Sequence, residues 1–213
     1  MSVCSVGFRT LAILTLALAL GGASPRTDLA AQATALTFVV APEGNEARYR
    51  VREQLAGLSF PNDAVGVTSA VSGAIVVDAA TGRVQANASR IVVELAGLTS
   101  DQNRRDNYVR NRTLETEQHP AAVLVPTELR GLTWPLPATG TVTFQLIGNL
   151  TVKQVTRSTT WDVTLDLSGI TMTGTATTSF TFEDFAMTKP RVASVLSVDD
   201  TIRLEYDLRL IRQ

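Results

Sequence analysis

Cysteine and histidine are almost missing from this 213-residue chain, which has one of each, Cys4 and His119. A transition-metal site draws its three or four ligands mainly from those two types, so no ligand set exists. A serine hydrolase needs a base beside its nucleophile. With one histidine and no GxSxG elbow, that chemistry has no parts to work with. GxGxxG and GxxxxGK[ST] are also absent, which removes the usual phosphate-cradling loops. Lysine is scarce at two residues against seventeen arginines, and the formal net charge is −1. So even a balance supplies no field to draw a nucleic-acid backbone. The adjacent acids Glu183–Asp184 and Asp199–Asp200 would point to opposite faces of a strand, and acids in hairpins more often hold turn amides. No catalytic residue, metal or cofactor is assigned.

Long hydrophobic runs are missing too. The longest, LAILTLALAL (Leu11 to Leu20), is half the roughly 20 residues a spanning helix needs. It follows Arg9 and precedes the small residues GGAS, with a second small-x-small site at Ala31–Gln32–Ala33. That order predicts a secretory signal peptide over residues 1–33, cleaved near 23 or 33. Cys4 lies before the apolar run and would be lost with it. The expected mature chain, residues 34–213, is one domain without disulfides. It has no membrane span after cleavage and is destined for the periplasm or the medium.

Period-two alternation dominates the rest. In RSTTWDVTLDL, Trp161, Val163, Leu165 and Leu167 share one face against Thr160, Asp162, Thr164 and Asp166. In TIRLEYDLRLI, Ile202, Leu204, Tyr206, Leu208 and Leu210 oppose Arg203, Glu205, Asp207 and Arg209. TMTGTATTSFTF lines threonines on one side with Met172, Gly174, Ala176, Phe180 and Phe182 on the other. Six further candidates are Thr37–Pro42, Ala47–Leu55, Ala64–Asp78, Arg83–Leu95, Ala121–Leu129 and Gly140–Thr151. Strands with one dry and one wet face belong to antiparallel sheets, and strands this long favour a barrel over a sandwich. About eight strands enclose an interior that side chains just fill or that holds one small ligand. Gly73, Ala74, Gly174 and Ala176 on the inward faces either leave volume or mark bends.

One segment, Thr99 to Pro120, breaks the alternation. A short helical segment is expected near residues 100–112, with Ser100 capping a helix through Asp101–Arg110 and Asp106 supporting Arg110 at i,i+4. It contains RRDNYVRNR, four arginines in nine residues. Helical spacing puts Arg105 and Arg112 on one side about two turns apart, with Arg104 diverging. Surface arginines usually pair internally, here with Asp106, Glu115 and Glu117. Guanidinium forks also suit phosphate.

RRDNYVRNRTLETEQHPAAVL resembles the arginine–aspartate segment of the YceI-like, polyisoprenoid-binding family. GNLTVKQVTRSTTWDV is similar to its later glycine and LT-x-x-x-VT motif, and FEDFAMTKPRVASVLSVDDTIRLEYDL to its final hairpin. The likeness spans roughly residues 47–211. It departs in YRVREQLAGLSFPNDAVGV, which lacks the histidine that many relatives carry in their first strands. The resemblance implies an all-β, antiparallel lipocalin-like barrel of about eight strands, non-catalytic and exported. It implies a lipid ligand, an isoprenoid or similar amphiphile, in an apolar bore; a homodimer is an admitted assembly. The bore would be walled by Tyr49, Val51, Phe144, Leu146, Trp161, Val163, Leu165, Phe180, Phe182, Leu204 and Tyr206, with Arg105 and Arg112 as head-group candidates. The alternative is an envelope structural or interaction protein that uses the same barrel without a ligand.

Trp161→Asp places a charge on the dry face and is expected to abolish folding or lipid uptake. Circular dichroism melts and an uptake assay check it, and wild-type behaviour in both would show the strand register to be wrong.

Overall fold

In β8 (Val155–Ser168) residues 159–168 alternate buried and exposed without a break, with Thr159, Trp161, Val163, Leu165 and Leu167 inside. Every other strand is placed by pairing to a neighbour in the same antiparallel sense. The computed structural model describes residues 35–193 and 195–213 together with Met1. The predicted signal segment thus lies, apart from Met1, outside the described residues. The elements are β1 (Ala35–Val40), β2 (Glu46–Leu55), β3 (Asn62–Thr68), β4 (Val71–Asp78) and β5 (Arg90–Glu94). A helix α1 (Asn103–Tyr108) runs straight into a π turn (Val109–Thr113). Then come β6 (Ala121–Arg130), β7 (Thr139–Val152), β8, β9 (Thr171–Thr181) and β10 (Val195–Arg212). Among the described residues no helix is long and apolar enough to cross a membrane.

Eight strands close a ring in the order β1–β4–β5–β6–β7–β8–β9–β10, and β10 returns to β1. The β2–β3 pair extends from the first part of β10 on the edge that β1 uses at its end. The ring matches the expected eight-stranded barrel, and the β2–β3 pair outside it brings the sheet to ten strands. Residues 64–78 split at Ser69–Ala70, where the Ala70 N–H turns back to Thr68 Oγ1 (3.2 Å). Only Arg90–Glu94 of the 83–95 candidate is a strand. The stretch before it is a turn held by Asp78 Oδ1, which accepts from the Ala80 and Thr81 amides at 3.1 and 2.8 Å. Ser89 Oγ bridges to Val76 there, accepting from its N–H and donating to its carbonyl.

One barrel end is marked by Val195 opposite Leu55, the Val152–Val155 turn and Glu94 opposite Ala121. The connection through α1 lies at this end. It is tied to the barrel by the Val67–Thr99 backbone pair, by Leu95 N–H to Pro120 O (2.7 Å) and by Lys153 Nζ to Glu115 Oε1 (2.6 Å). The opposite end is covered by the β6–β7 loop. Its Trp134 Nε1 donates to Ala79 O (3.0 Å), and the indole lies against Gly82.

Two of the small inward residues mark close approaches, not free space. A Cβ on Gly174 would stand 2.0 Å from Thr164 O, and one on Gly73 2.0 Å from Arg90 O. Gly174→Val is therefore expected to prise β9 from β8 and to cost about 3 kcal/mol or more. Urea denaturation measures it, and a loss below about 1 kcal/mol would mean the strands can separate freely.

Candidate functional site

The inward face of the ring surrounds a cavity of about 610 Å³, within the range of small-molecule sites. All eleven predicted bore residues lie on its wall: Tyr49, Val51, Phe144, Leu146, Trp161, Val163, Leu165, Phe180, Phe182, Leu204 and Tyr206. Their alternation reaches the interior because each strand is long enough to line the cavity with several inward positions. The polar tips on this wall are mostly occupied. Trp161 Nε1 donates to Thr159 Oγ1 (3.0 Å), which donates on to Gly148 O (3.1 Å). Tyr206 donates to Asn45 Oδ1 (2.6 Å), and burial pushes its phenol well above the ordinary value. Phe180 packs edge-on against the fully buried Phe185 with centroids 4.5 Å apart.

Tyr49 differs. Its ring lies over Gly66, where a Cβ would come within 2.2 Å of Cε1. Burial pushes its phenol up to about 12 against the opposing Arg105 charge, so it remains a neutral donor. Four residues on, on the same inward face and past Val51, sits a buried carboxylate, Glu53. Arg105 of α1 answers it at 2.7 Å, with side-chain exposures of 13% and 8% for arginine and glutamate. Arg105 also bonds Asp101 and, at 3.3 Å, Ser100 Oγ. Burial alone would lower the Arg105 pKa, but the Asp101 hydrogen bond and the Glu53 charge leave it raised.

Ser100 does not cap the helix. Gln102 occupies the cap position without a side-chain bond. Ser100 Oγ accepts from Gln102 N–H (3.2 Å) and donates to the buried Asp106 Oδ1 (2.5 Å). Arg110 misses Asp106 and donates instead to Leu98 O (2.8 Å) and Asn107 Oδ1 (3.0 Å). Glu115 pairs with Lys153, which holds its carboxyl below the usual range. Two of the four arginines of RRDNYVRNR, Arg105 and Arg110, are thus held inside the fold, by partners other than those expected from helix spacing, while Arg104 and Arg112 are exposed.

Arg105 is on the cavity wall and committed to carboxylates, whereas Arg112 is exposed and off the wall. The cause is the π turn. The Leu114 N–H reaches Val109 O (2.9 Å), an i to i+5 step that uses one residue more than an α turn. The wall residues of this segment are Arg104 and Arg105, then Tyr108 and Val109, then Thr113 and Leu114. Spacing of four followed by five puts Thr113 where an unbroken α-helix would have put Arg112. Nothing in the sequence flags that slip. Glu53 was legible, since a charge at the inward phase of an alternating strand demands a counter-charge.

Only three wall residues among those described are exposed: Ala56, Gln102 and Arg104. They set the mouth between the β2–β3 hairpin and α1. Leu58 and Phe60 stand exposed on that hairpin, as does Leu196 at the start of β10. The carboxylate pairs do not converge: Asp184 takes the Thr181 N–H (2.7 Å) and hydroxyl (2.9 Å), and Asp200 pairs with Lys189 at 3.1 Å.

A closed eight-stranded antiparallel ring around an apolar bore, with one helical segment at its mouth, is a lipocalin-like barrel. Residues 38–210 match the YceI-like domain family, and the chain belongs to it. Solved structures agree in fold. A polyisoprenoid binding domain from Saccharophagus degradans, implicated in plant cell wall breakdown, superposes with a TM-score of 0.63 at 12% identity. It covers 82% of this chain and 97% of its own. BcnA of Burkholderia cenocepacia gives 0.60 at 17% identity, covering 80% and 98%. The YCEI protein of Campylobacter jejuni gives 0.55 at 15%, covering 73% and 88%. A search of curated proteins returns no match.

Arg105→Met strands Glu53 as a buried charge and is expected to cost about 3 kcal/mol, as broken buried pairs do. Adding Glu53→Leu should recover most of it. Chemical denaturation of the single and double variants gives the coupling, and additive losses would show that the pair does not act as a unit.

Proposed function

We propose that this protein is an exported, non-enzymatic binding protein that holds an isoprenoid or similar amphiphilic lipid in the barrel. The observation that carries this is the cavity itself, about 610 Å³ and walled almost throughout by aliphatic and aromatic side chains. A long chain gains about 0.8 kcal/mol per buried CH₂ in such a place and needs no polar machinery along its length. Support comes from the YceI-like family and from the polyisoprenoid binding domain of S. degradans, whose fold is shared. The eleven wall residues are the proposed tail contacts. Export rests on the signal-like segment around Leu11–Leu20.

A ligand-free envelope interaction protein is the second reading, favoured by the exposed Leu58, Phe60 and Leu196, which would be a contact patch. Native mass spectrometry of gently purified protein decides between them. The lipid reading expects a co-purifying mass that organic extraction removes, and displacement of an apolar fluorophore on adding the extract back. A bare mass together with no fluorophore uptake would overturn it.

A further inference from the structure

The stripe that the π turn creates carries three polar side chains with no partner among the described residues. Arg104, exposed at the mouth, forms no hydrogen bond or ion pair with any other described residue, although three other arginines of its segment or its neighbouring strand (Arg105, Arg110 and Arg48) are held. One turn further in, the half-buried Tyr108 likewise has no hydrogen-bond partner among the described residues. Deeper still, Thr113 is buried on the cavity wall and its Oγ1 is unpartnered. A buried hydroxyl left without a partner costs of the order of 1–3 kcal/mol, so the group calls for an explanation, and a ligand that supplies the missing acceptor is one.

All three can donate, one by a charged fork and two by hydroxyls; the one buried side-chain acceptor without a partner among the described residues, Asn62 Oδ1, lies beside Glu53 and off the cavity wall. The nearby carboxylates are engaged: Glu53 and Asp101 by Arg105, and Asp106 by Ser100. Formal charges in this region balance, with Arg104, Arg105 and Arg110 against Glu53, Asp101 and Asp106. No broad positive field therefore draws an anion in, and selection would come from contact with Arg104, the uncommitted guanidinium on the cavity wall among the described residues.

We propose that Arg104, Tyr108 and Thr113 form the head-group site of the bound amphiphile, and that the head they select is an oxyanion, a phosphate or carboxylate at the mouth, with the tail running into the bore. This rests on the lipid-binding reading above. It moves the head-group role from Arg105, already neutralised, and Arg112, outside the wall, to the adjacent Arg104.

The test holds the tail constant and varies the head. Dodecyl phosphate, dodecanoate and dodecanol compete with an apolar fluorophore for the wild-type protein, Arg104→Gln and Thr113→Val. Wild type is expected to bind at least one oxyanion about tenfold more tightly than the alcohol, as one charge-assisted hydrogen bond allows. The stronger of the two oxyanions identifies the head as phosphate or carboxylate. Arg104→Gln should erase that preference, bringing the oxyanions down to the affinity of dodecanol. Thr113→Val should weaken all three, because its hydroxyl serves any acceptor. Binding of all three with equal affinity in wild type, or a preference that survives Arg104→Gln, would overturn the head-group site while leaving the lipid-binding reading standing. Failure of all three to compete would overturn both.

Discussion

Closure of the barrel depends on how the two edges of β10 are shared. One edge is taken along most of its length by β9, from Thr201–Thr181 to Ile211–Thr171. The other must serve two strands in turn, β2 up to Asp207 and β1 from Leu210 onward. Between them the chain leaves the sheet for five residues, and β10 would be left with unpaired backbone there. Asn45 fills the gap. Its Nδ2 donates to Ala41 O (2.8 Å), while its Oδ1 accepts from Arg209 N–H (3.0 Å) and from Tyr206 (2.6 Å). One buried amide thus takes the place of a missing rung, and it fixes a bore-lining tyrosine as it does so. Without that handover the ring would open and the cavity would become a cleft.

The cavity survives because its wall is stiff and its polar atoms are mostly satisfied elsewhere. Backbone groups are used up in the ladders, Trp161 and Tyr206 are tied to neighbours, and Gly66 gives Tyr49 a flat seat. What remains facing inward is hydrocarbon, with polarity gathered at the α1 end. The arrangement gives the interior a direction, hydrocarbon along its length and polar at one end.

Much of this was legible in the sequence because period-two alternation survives folding intact. The dry faces of β8 and β10 follow directly from Trp161–Leu167 and Ile202–Leu210, and the resulting wall includes every residue expected there. What could not be read were departures from regular geometry. The break at Ser69–Ala70 depends on a threonine hydroxyl catching an amide, and residues 79–89 fold back through one aspartate. In Thr99–Pro120 the composition indicated a helix and arginines with partners, but partner identity depended on which side of the helix met Glu53.

The π turn at Val109–Thr113 has an evolutionary consequence. Insertions and deletions in a β-barrel wall are severe, since each one flips every following side chain to the other face. In this segment the helix is anchored at both ends, by Val67–Thr99 and by Leu95–Pro120, with a surplus residue stored between. Removing any one of residues 110–112 would relax the turn to an ordinary helical one with Thr113 four places after Tyr108, so the same side chains would still face the cavity and the barrel would be untouched. This segment can therefore gain or lose a residue at its middle without shifting the register of any strand, a tolerance the barrel wall itself does not have.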